Sequence, residues 1–283
     1  MTQGCLIFAH DGTIDYGSQA VLAARLVVKH LGVPVSLVTD KNTIKNINKN
    51  FKNTPFDQVI EIQTEKNIQE KNFYDGSLST KRLHWKNFAR STVYDLTPYD
   101  RTLVIDSDYV LNSNILKSAL DNNYDFQIYR NSFDLAYERN STEFERINQY
   151  SIPFYWATVF VFQKNTIMQA FFDLVTYIKE NWVYFKLLYN INSTTFRNDY
   201  AFSIAIHIMN GKHLEGFAIE LPGKMTFAAD TDVLISADNN KMKFLTQKKN
   251  FLGEYILAKT TGLDVHVMNK MSLSRFIDGG LGV

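Results

Sequence analysis

The run CLIFAHDGTIDYGSQAVLAARLVVKHLGVPVSLVTD, residues 5–40, constrains the fold more than any other part of the 283-residue chain. Residues 5–9 form a short apolar run of strand type, and residues 10–17 a polar loop with two glycines. Ser18 offers a helix N-cap, after which Ala20, Ala23, Ala24, Val27 and Val28 share one face at helical spacing. Gly32 stops that helix, Pro34 opens the next segment, and residues 35–38 repeat the strand pattern before Thr39-Asp40. A strand, a helix and a second apolar strand joined this closely imply a right-handed crossover and a parallel sheet. In open α/β sheets, ligands sit beyond the carboxyl ends of the strands. His10, Asp11, Thr39 and Asp40 all fall there.

The rest of the chain extends the same pattern. Residues 41–56 are polar and Asn/Lys-rich, followed by a third strand in QVIEI. Residues 78–96 have a helical pattern carrying Lys81, Arg82, Lys86 and Arg90, and it ends before Pro98. Strands are expected in TLVI (102–105), YDFQIY (124–129) and YWATVFVFQKN (155–165), and a short one near residues 265–267. Residues 166–189 and 198–209 read as helices, the first rich in aromatics. No internal repeat, low-complexity linker or domain boundary interrupts this, so one α/β domain over residues 1–283 is expected. Thirty basic residues stand against 29 acidic, which gives no global attraction to nucleic acid or to an anionic membrane. Cys5 is the only cysteine, so an intramolecular disulfide and a cysteine-based zinc site are both excluded. No stretch approaches the roughly 20 apolar residues of a membrane span, and the first apolar run is too short for a signal-peptide core. A soluble, cytoplasmic protein is the expectation.

The chemistry concentrates where RTLVI runs into Asp106-Ser107-Asp108. Strand residues i and i+2 point the same way, so the two carboxylates leave the strand on one side. Held that close they repel, unless one is protonated or a cation lies between them. One reading is an Asx-type turn in which the acids merely accept backbone N–H groups. The other is a divalent ion. Carboxylate oxygens are hard ligands suited to Mg²⁺ or Mn²⁺, and an ion held there can grip a diphosphate and stabilise it as a leaving group.

YDRTLVIDSDYVL resembles the Asp-x-Asp segment of nucleotide-sugar-dependent glycosyltransferases of the GT-A fold, above all the glycogenin-like and lipopolysaccharide galactosyltransferase-like group. Other pieces follow in the order of that family. LIFAHDGTIDYGSQAVLAARLV resembles its first strand, nucleotide-binding loop and helix, and STKRLHWKNFARSTVYDLTPYDRTLVIDSD its basic helix leading into the motif. YWATVFVFQKN resembles the strand beside the acceptor pocket, and VHVMNK the late His with a following Lys. The family's Gly and Pro-Trp after this His are replaced by Asn269 and Met271-Ser272. The resemblance implies a mixed, mostly parallel Rossmann-like sheet flanked by helices, with a nucleotide-binding half over 1–110 and an acceptor-binding half over 111–283. It implies Mn²⁺ or Mg²⁺ held by Asp106, Asp108 and His266, and a nucleotide diphosphate sugar, UDP-linked, as donor. His10, Asp11, Tyr16 and Asp40 would lie near the base and ribose, with Asp106 also on the ribose. Arg82, with Lys81 beside it, would meet the donor phosphates or sugar, and Lys270 the β-phosphate. Asp199, at the start of a helix, is the leading candidate to contact the donor sugar, and Asp108 is assigned with it to the catalytic set.

Each of these residues also has a plainer role open to it. Tyr16 can cover the sheet edge, Arg82 can belong to a solvated basic face, His266 can be a backbone-bonded histidine in a Val-His-Val strand, and Asp199 can favour a helix dipole. Tyr155 and Trp156 can stack on a sugar ring or pack the core. Two rival functions stand beside the transferase: a haloacid-dehalogenase-like phosphatase with Asp106 as nucleophile and Asp108 as acid, and a non-catalytic nucleotide-sugar-binding protein. The acceptor stays open among a glycan, a protein side chain, a small molecule and a modified nucleobase. Retention is the stereochemistry that the resemblance implies.

Overall fold

The structure, a computed structural model, describes residues 1–63, 69–85, 90–136, 139, 144–193, 195–213, 216–238, 240–249 and 253–278. Its chain path opens as the apolar pattern dictates. β1 (Gln3–Phe8) leads through a polar loop into α1 (Tyr16–Leu31), and β2 (Val35–Thr39) returns parallel to β1 with Cys5 opposite Val35. The N-cap of α1 is Asp15 rather than Ser18: its carboxylate accepts the Ser18 N–H at 2.7 Å and the Ser18 hydroxyl at 2.6 Å. Gly32, at φ 66°, closes the helix in the left-handed conformation that favours glycine.

The polar, Asn/Lys-rich stretch over residues 41–56, to which the sequence assigns no element, begins with α2 (Lys41–Asn50). Asp40 caps it by accepting the Thr43 N–H at 2.9 Å, and only Thr43 and Ile47 are buried, so the helix shows almost no apolar stripe in the sequence. Gly17 lets α1 and α2 meet, since a Cβ there would come within 2.9 Å of the Ile47 side chain. β3 (Gln58–Glu61) then adds a parallel edge strand.

Among the described residues, the expected basic helix over residues 78–96 keeps only its last part as helix, and residues 80–85 are a strand. The chain forms a hairpin, β4 (Gln69–Tyr74) and β5 (Thr80–Trp85), then a 3₁₀ turn (Arg90–Thr92) and the short α3 (Val93–Leu96). Lys86 lies outside the described residues. Strand pairing overrode the local helical pattern: β4 supplies six cross-strand partners, and residues far along the chain tie down the hairpin turn, Arg275 bonding Asp75 at 2.6 and 2.8 Å and the Tyr255 hydroxyl accepting the Ser77 N–H at 2.7 Å.

β6 (Arg101–Asp106) inserts beside β1, and β7 (Tyr109–Val110) follows directly. After α4 (Lys117–Asp121) come β8 (Phe126–Tyr129), β9 (Ser132–Asp134) and β10 (Trp156–Gln163). The aromatic segment is two helices, α5 (Thr166–Glu180) and α6 (Trp182–Leu188), broken at Asn181, followed by α7 (Asn198–Met209). β11 (Ile219–Glu220), β12 (Met225–Ala228), β13 (Val233–Asp238), β14 (Lys241–Gln247), β15 (Tyr255–Thr261), β16 (Val265–Val267) and α8 (Lys270–Asp278) complete the path.

The main sheet has seven strands in the order β11-β8-β10-β6-β1-β2-β3. β10 runs antiparallel to both neighbours and the other ladders are parallel, which makes the sheet mixed but mostly parallel. Helices flank it. Phe171 and Phe172 of α5 pack on Phe126 and Phe162 of the sheet with centroids 4.8 and 4.9 Å apart, and Phe202 of α7 meets Phe160 at 5.1 Å. Burying each such ring is worth roughly 1.5–3 kcal/mol, so this aromatic layer fixes α5 and α7 against the sheet. A second sheet, β7-β16-β12-β9, crosses the carboxyl end of β6, and β13-β14-β15 forms a third.

Candidate functional site

The junction between the two larger sheets builds the site. β6 ends at Asp106, which stands opposite Phe8 at the end of β1. Two residues later Asp108 leads into β7, whose Tyr109 pairs with His266 of β16. The Val267 N–H donates to the Asp108 carbonyl at 2.9 Å, which brings His266 beside the Asp-Ser-Asp segment across more than 150 residues of chain.

Asp106, Asp108 and His266 each offer one ligand atom, and these three atoms lie within 4.8 Å of one another. His266 Nε2 is 3.3 Å from Asp108 Oδ2, and the Lys270 ammonium is 2.5 Å from the same oxygen. Burial alone would raise the Asp108 pKa; Lys270 and His266 outweigh it and hold the carboxyl well below the usual aspartate range. Two carboxylates and an imidazole form a donor set that suits Mn²⁺ or Mg²⁺, so the residues present fit the implied ion. His266 Nδ1 is buried without a hydrogen-bond partner among the described residues.

Arg90 is the residue that the sequence did not single out. It is 4% exposed, forms an ion pair with Asp106, and lies 5.7 Å over the Phe8 ring. Its Nη1 is buried with no partner among the described residues. Burial lowers its pKa to about 10 against the pull of Asp199 and Asp108, so it remains a cation at neutral pH. Four basic residues at 81, 82, 86 and 90 looked alike in sequence. Only the 3₁₀ turn, which faces the end of β6, distinguishes Arg90.

A cavity of about 1,020 Å³ opens at this junction, large enough for a nucleotide-sized ligand. His10, Tyr16, Asp106, Asp108, Asp199, His266 and Lys270 all line it, so seven of the sequence candidates come together. Tyr16 sits in the first turn of α1; its hydroxyl is buried without a hydrogen-bond partner among the described residues, and burial raises its pKa. His10 Nδ1 is 3.7 Å from Asp40 Oδ2. Asp11 and Asp40 are not part of the cavity wall. Asp40 caps α2, and the Asp11 carboxylate accepts the Gly17 N–H at 2.7 Å and the Asn46 side-chain amide at 2.9 Å, so both shape the loop that carries His10 and Tyr16. Arg82 is also outside the wall: its largely exposed side chain on β5 bonds Glu70 across the hairpin at 2.7 Å. Lys71, on β4, reaches the cavity instead.

Asp199 opens α7 with both oxygens engaged. Oδ1 accepts the Ala157 N–H at 2.9 Å, and Oδ2 accepts Arg197 Nε and Nη2 at 3.0 and 2.9 Å. The Arg197 guanidinium lies within 5.7 Å of the Phe144, Phe154 and Tyr200 rings. Arg139 bridges Asp134 and Asp232 on a neighbouring wall. Trp156 is fully buried and packed among Phe144, Phe154 and Phe227 rather than offered as a stacking surface, and Tyr155 is buried as well.

No protein-family model matches the sequence, and a search of curated proteins gives no match. Solved structures give matches at low identity. The glycosyltransferase GlyE of Streptococcus pneumoniae TIGR4 is 13% identical over 78% of this chain, with a TM-score of 0.43; the match spans 45% of that chain, so the present chain covers under half of it. The galactosyltransferase LgtC, solved with donor and acceptor sugar analogues, is 13% identical over 77% of this chain and 72% of its own, with a TM-score of 0.46. Mouse xyloside xylosyltransferase 1 is 13% identical over 76% of this chain and 85% of its own, with a TM-score of 0.44. These three neighbours are themselves glycosyltransferases. Among the described residues, no helix is long and apolar enough to cross a membrane.

Proposed function

We propose that this chain is a metal-dependent glycosyltransferase that moves a sugar from a nucleotide diphosphate sugar, a UDP-sugar, to an acceptor hydroxyl with retention of anomeric configuration. The observation that carries the reading is the Asp106–Asp108–His266 ligand set, flanked by the Arg90 and Lys270 cations, on the wall of a nucleotide-sized cavity at the carboxyl end of the sheet. Mn²⁺ or Mg²⁺ held by those three residues supplies Lewis-acid stabilisation of the diphosphate oxygens.

The chain's own groups divide the remaining work. Arg90 and Lys270 place fixed positive charge where the leaving diphosphate gains negative charge. His10 and Tyr16 form the wall suited to the base and ribose. Asp199, already accepting three hydrogen bonds, is suited to orient a sugar hydroxyl rather than to take a proton. That favours a retaining course in which the acceptor oxygen bonds the anomeric carbon, the bond to the diphosphate breaks, and the acceptor proton passes to the departing diphosphate oxygen. Nucleophilic attack by Asp106, as in a phosphatase, is opposed by its ion pair with Arg90.

The test is release of nucleoside diphosphate from UDP-, GDP- and dTDP-sugars with Mn²⁺, with Mg²⁺ and with chelator, alongside Asp108→Asn, with donor binding measured in parallel. The expected result is metal-dependent binding and slow hydrolysis of one donor class, both lost in the variant. Donor binding that is indifferent to metal and to Asp108 would sink the reading.

A further inference from the structure

Two fixed cations already balance the two carboxylates of the ligand set. Arg90 is paired with Asp106, and the Lys270 ammonium lies 2.5 Å from Asp108 Oδ2, the oxygen that His266 Nε2 also faces. Within these two contacts the charges are two negative against two positive. A divalent ion alone would add two positive charges beside Arg90 and Lys270, whose side chains are 5% and 13% exposed, so like charges there repel with less screening than in water. A nucleotide diphosphate arriving with the ion offsets that added charge.

We infer that Lys270 competes with the divalent ion for Asp108, so that the ion enters tightly only together with the nucleotide, whose diphosphate takes over the ammonium. This rests on the donor site proposed above and assigns that site a binding order. The backbone around Lys270 supports an exchange made by the side chain alone. Asn269 caps α8 by accepting the Ser272 N–H at 2.9 Å and donates to the Asp232 carbonyl at 2.8 Å, while Gln19 donates to the Lys270 carbonyl at 3.1 Å. The main chain is thus pinned, and a flexible four-carbon stem carries the charge. Asp230, another carboxylate of the cavity wall, adds to the field that holds the ammonium nearby when it leaves Asp108.

The experiment is titration of Mn²⁺ followed by the electron paramagnetic resonance signal of the free aquo ion, with and without saturating UDP, at fixed ionic strength. Wild type, Lys270→Met, Lys270→Gln and Asp108→Asn are compared after circular dichroism shows each to be folded. Without UDP, both Lys270 variants are expected to bind Mn²⁺ at least tenfold tighter than wild type. With UDP the gap shrinks below threefold or reverses. Wild type alone gives an independent reading: UDP must raise its Mn²⁺ affinity at least tenfold, and by reciprocity Mn²⁺ raises its UDP affinity equally. Lys270 variants no tighter than wild type, with binding still lost in Asp108→Asn, overturn the inference and leave the donor site standing. A wild type that UDP does not affect overturns it without any variant. Binding unchanged in Asp108→Asn overturns the donor site as well.

Discussion

Asp199→Ala tests whether the wall between β10 and α7 is built as described. The substitution removes the acceptor of the Ala157 N–H, a group on a residue only 3% exposed, and leaving a buried donor unpaired costs about 1–3 kcal/mol. It also removes the pair with Arg197, whose side chains are 14% and 30% exposed; an ion pair of that partial burial is worth about 1 kcal/mol. The expected loss is therefore about 2–4 kcal/mol, read as a shift of the urea midpoint at constant slope. Arg197→Met keeps the Ala157 bond and loses the pair and the aromatic contacts, for about 1–2 kcal/mol. Because the pair is shared, the double variant should fall short of the sum by about 1 kcal/mol. A loss below about 0.5 kcal/mol for Asp199→Ala, or strict additivity in the cycle, would refute the geometry on which the orienting role depends.

Other outcomes follow from the same contacts. Arg90→Met should weaken donor binding at least tenfold in isothermal titration, whereas Arg82→Met, on the outer face of the hairpin, should leave it within twofold. Trp156→Ala should destabilise the fold by about 3–5 kcal/mol in chemical denaturation, because the ring is core, while Trp156→Phe, which keeps an aromatic ring there, should retain acceptor use in any active preparation. Burial raises the Glu220 pKa against the two N–H bonds from Arg130 and Asn131. Its contribution to stability is therefore full below the unfolded value near 4.3 and lost as pH rises through the raised folded value. Glu220→Gln should flatten the difference in denaturation midpoint between pH 4 and pH 7, and a variant that steepens it would contradict this sign.

What the sequence disclosed and what it hid divide along contact range. The β1–α1–β2 unit, β6 and β10 were readable because each buries a continuous apolar run, as Leu6, Ile7, Val104 and Phe160 show at zero exposure. The Asp106–Asp108 pair was readable because a strand's period fixes its side. α2 was hidden because one isoleucine and one threonine suffice to seat it. β5 was misread as helix because pairing with β4 overrides its local pattern, and Arg275 and Tyr255, nearly 200 residues away, hold the hairpin turn. Arg90, Arg197 and Arg139 were missed for the same reason: what marks each is a carboxylate partner or a ring presented by another element. Asp11 and Asp40 show the converse, correctly placed at strand ends yet spent on bonds within the loop.

The chemistry of the site follows from one topological fact. β6 belongs to the main sheet and β7 to the second, with only Ser107 and Asp108 between them. The motif therefore sits where the chain changes sheets, and the antiparallel pairing of β7 with β16 sets His266 at Tyr109, one residue beyond Asp108. A slip of one residue in that ladder would turn His266 to the opposite face and part it from both carboxylates. The register is held by burial on both sides, with Val265 and Val267 at or below 1% exposed and Tyr109 at zero. The late histidine is thus positioned by the valines around it, and Val267→Asp, which keeps every candidate ligand, should abolish Mn²⁺ binding by undoing the ladder.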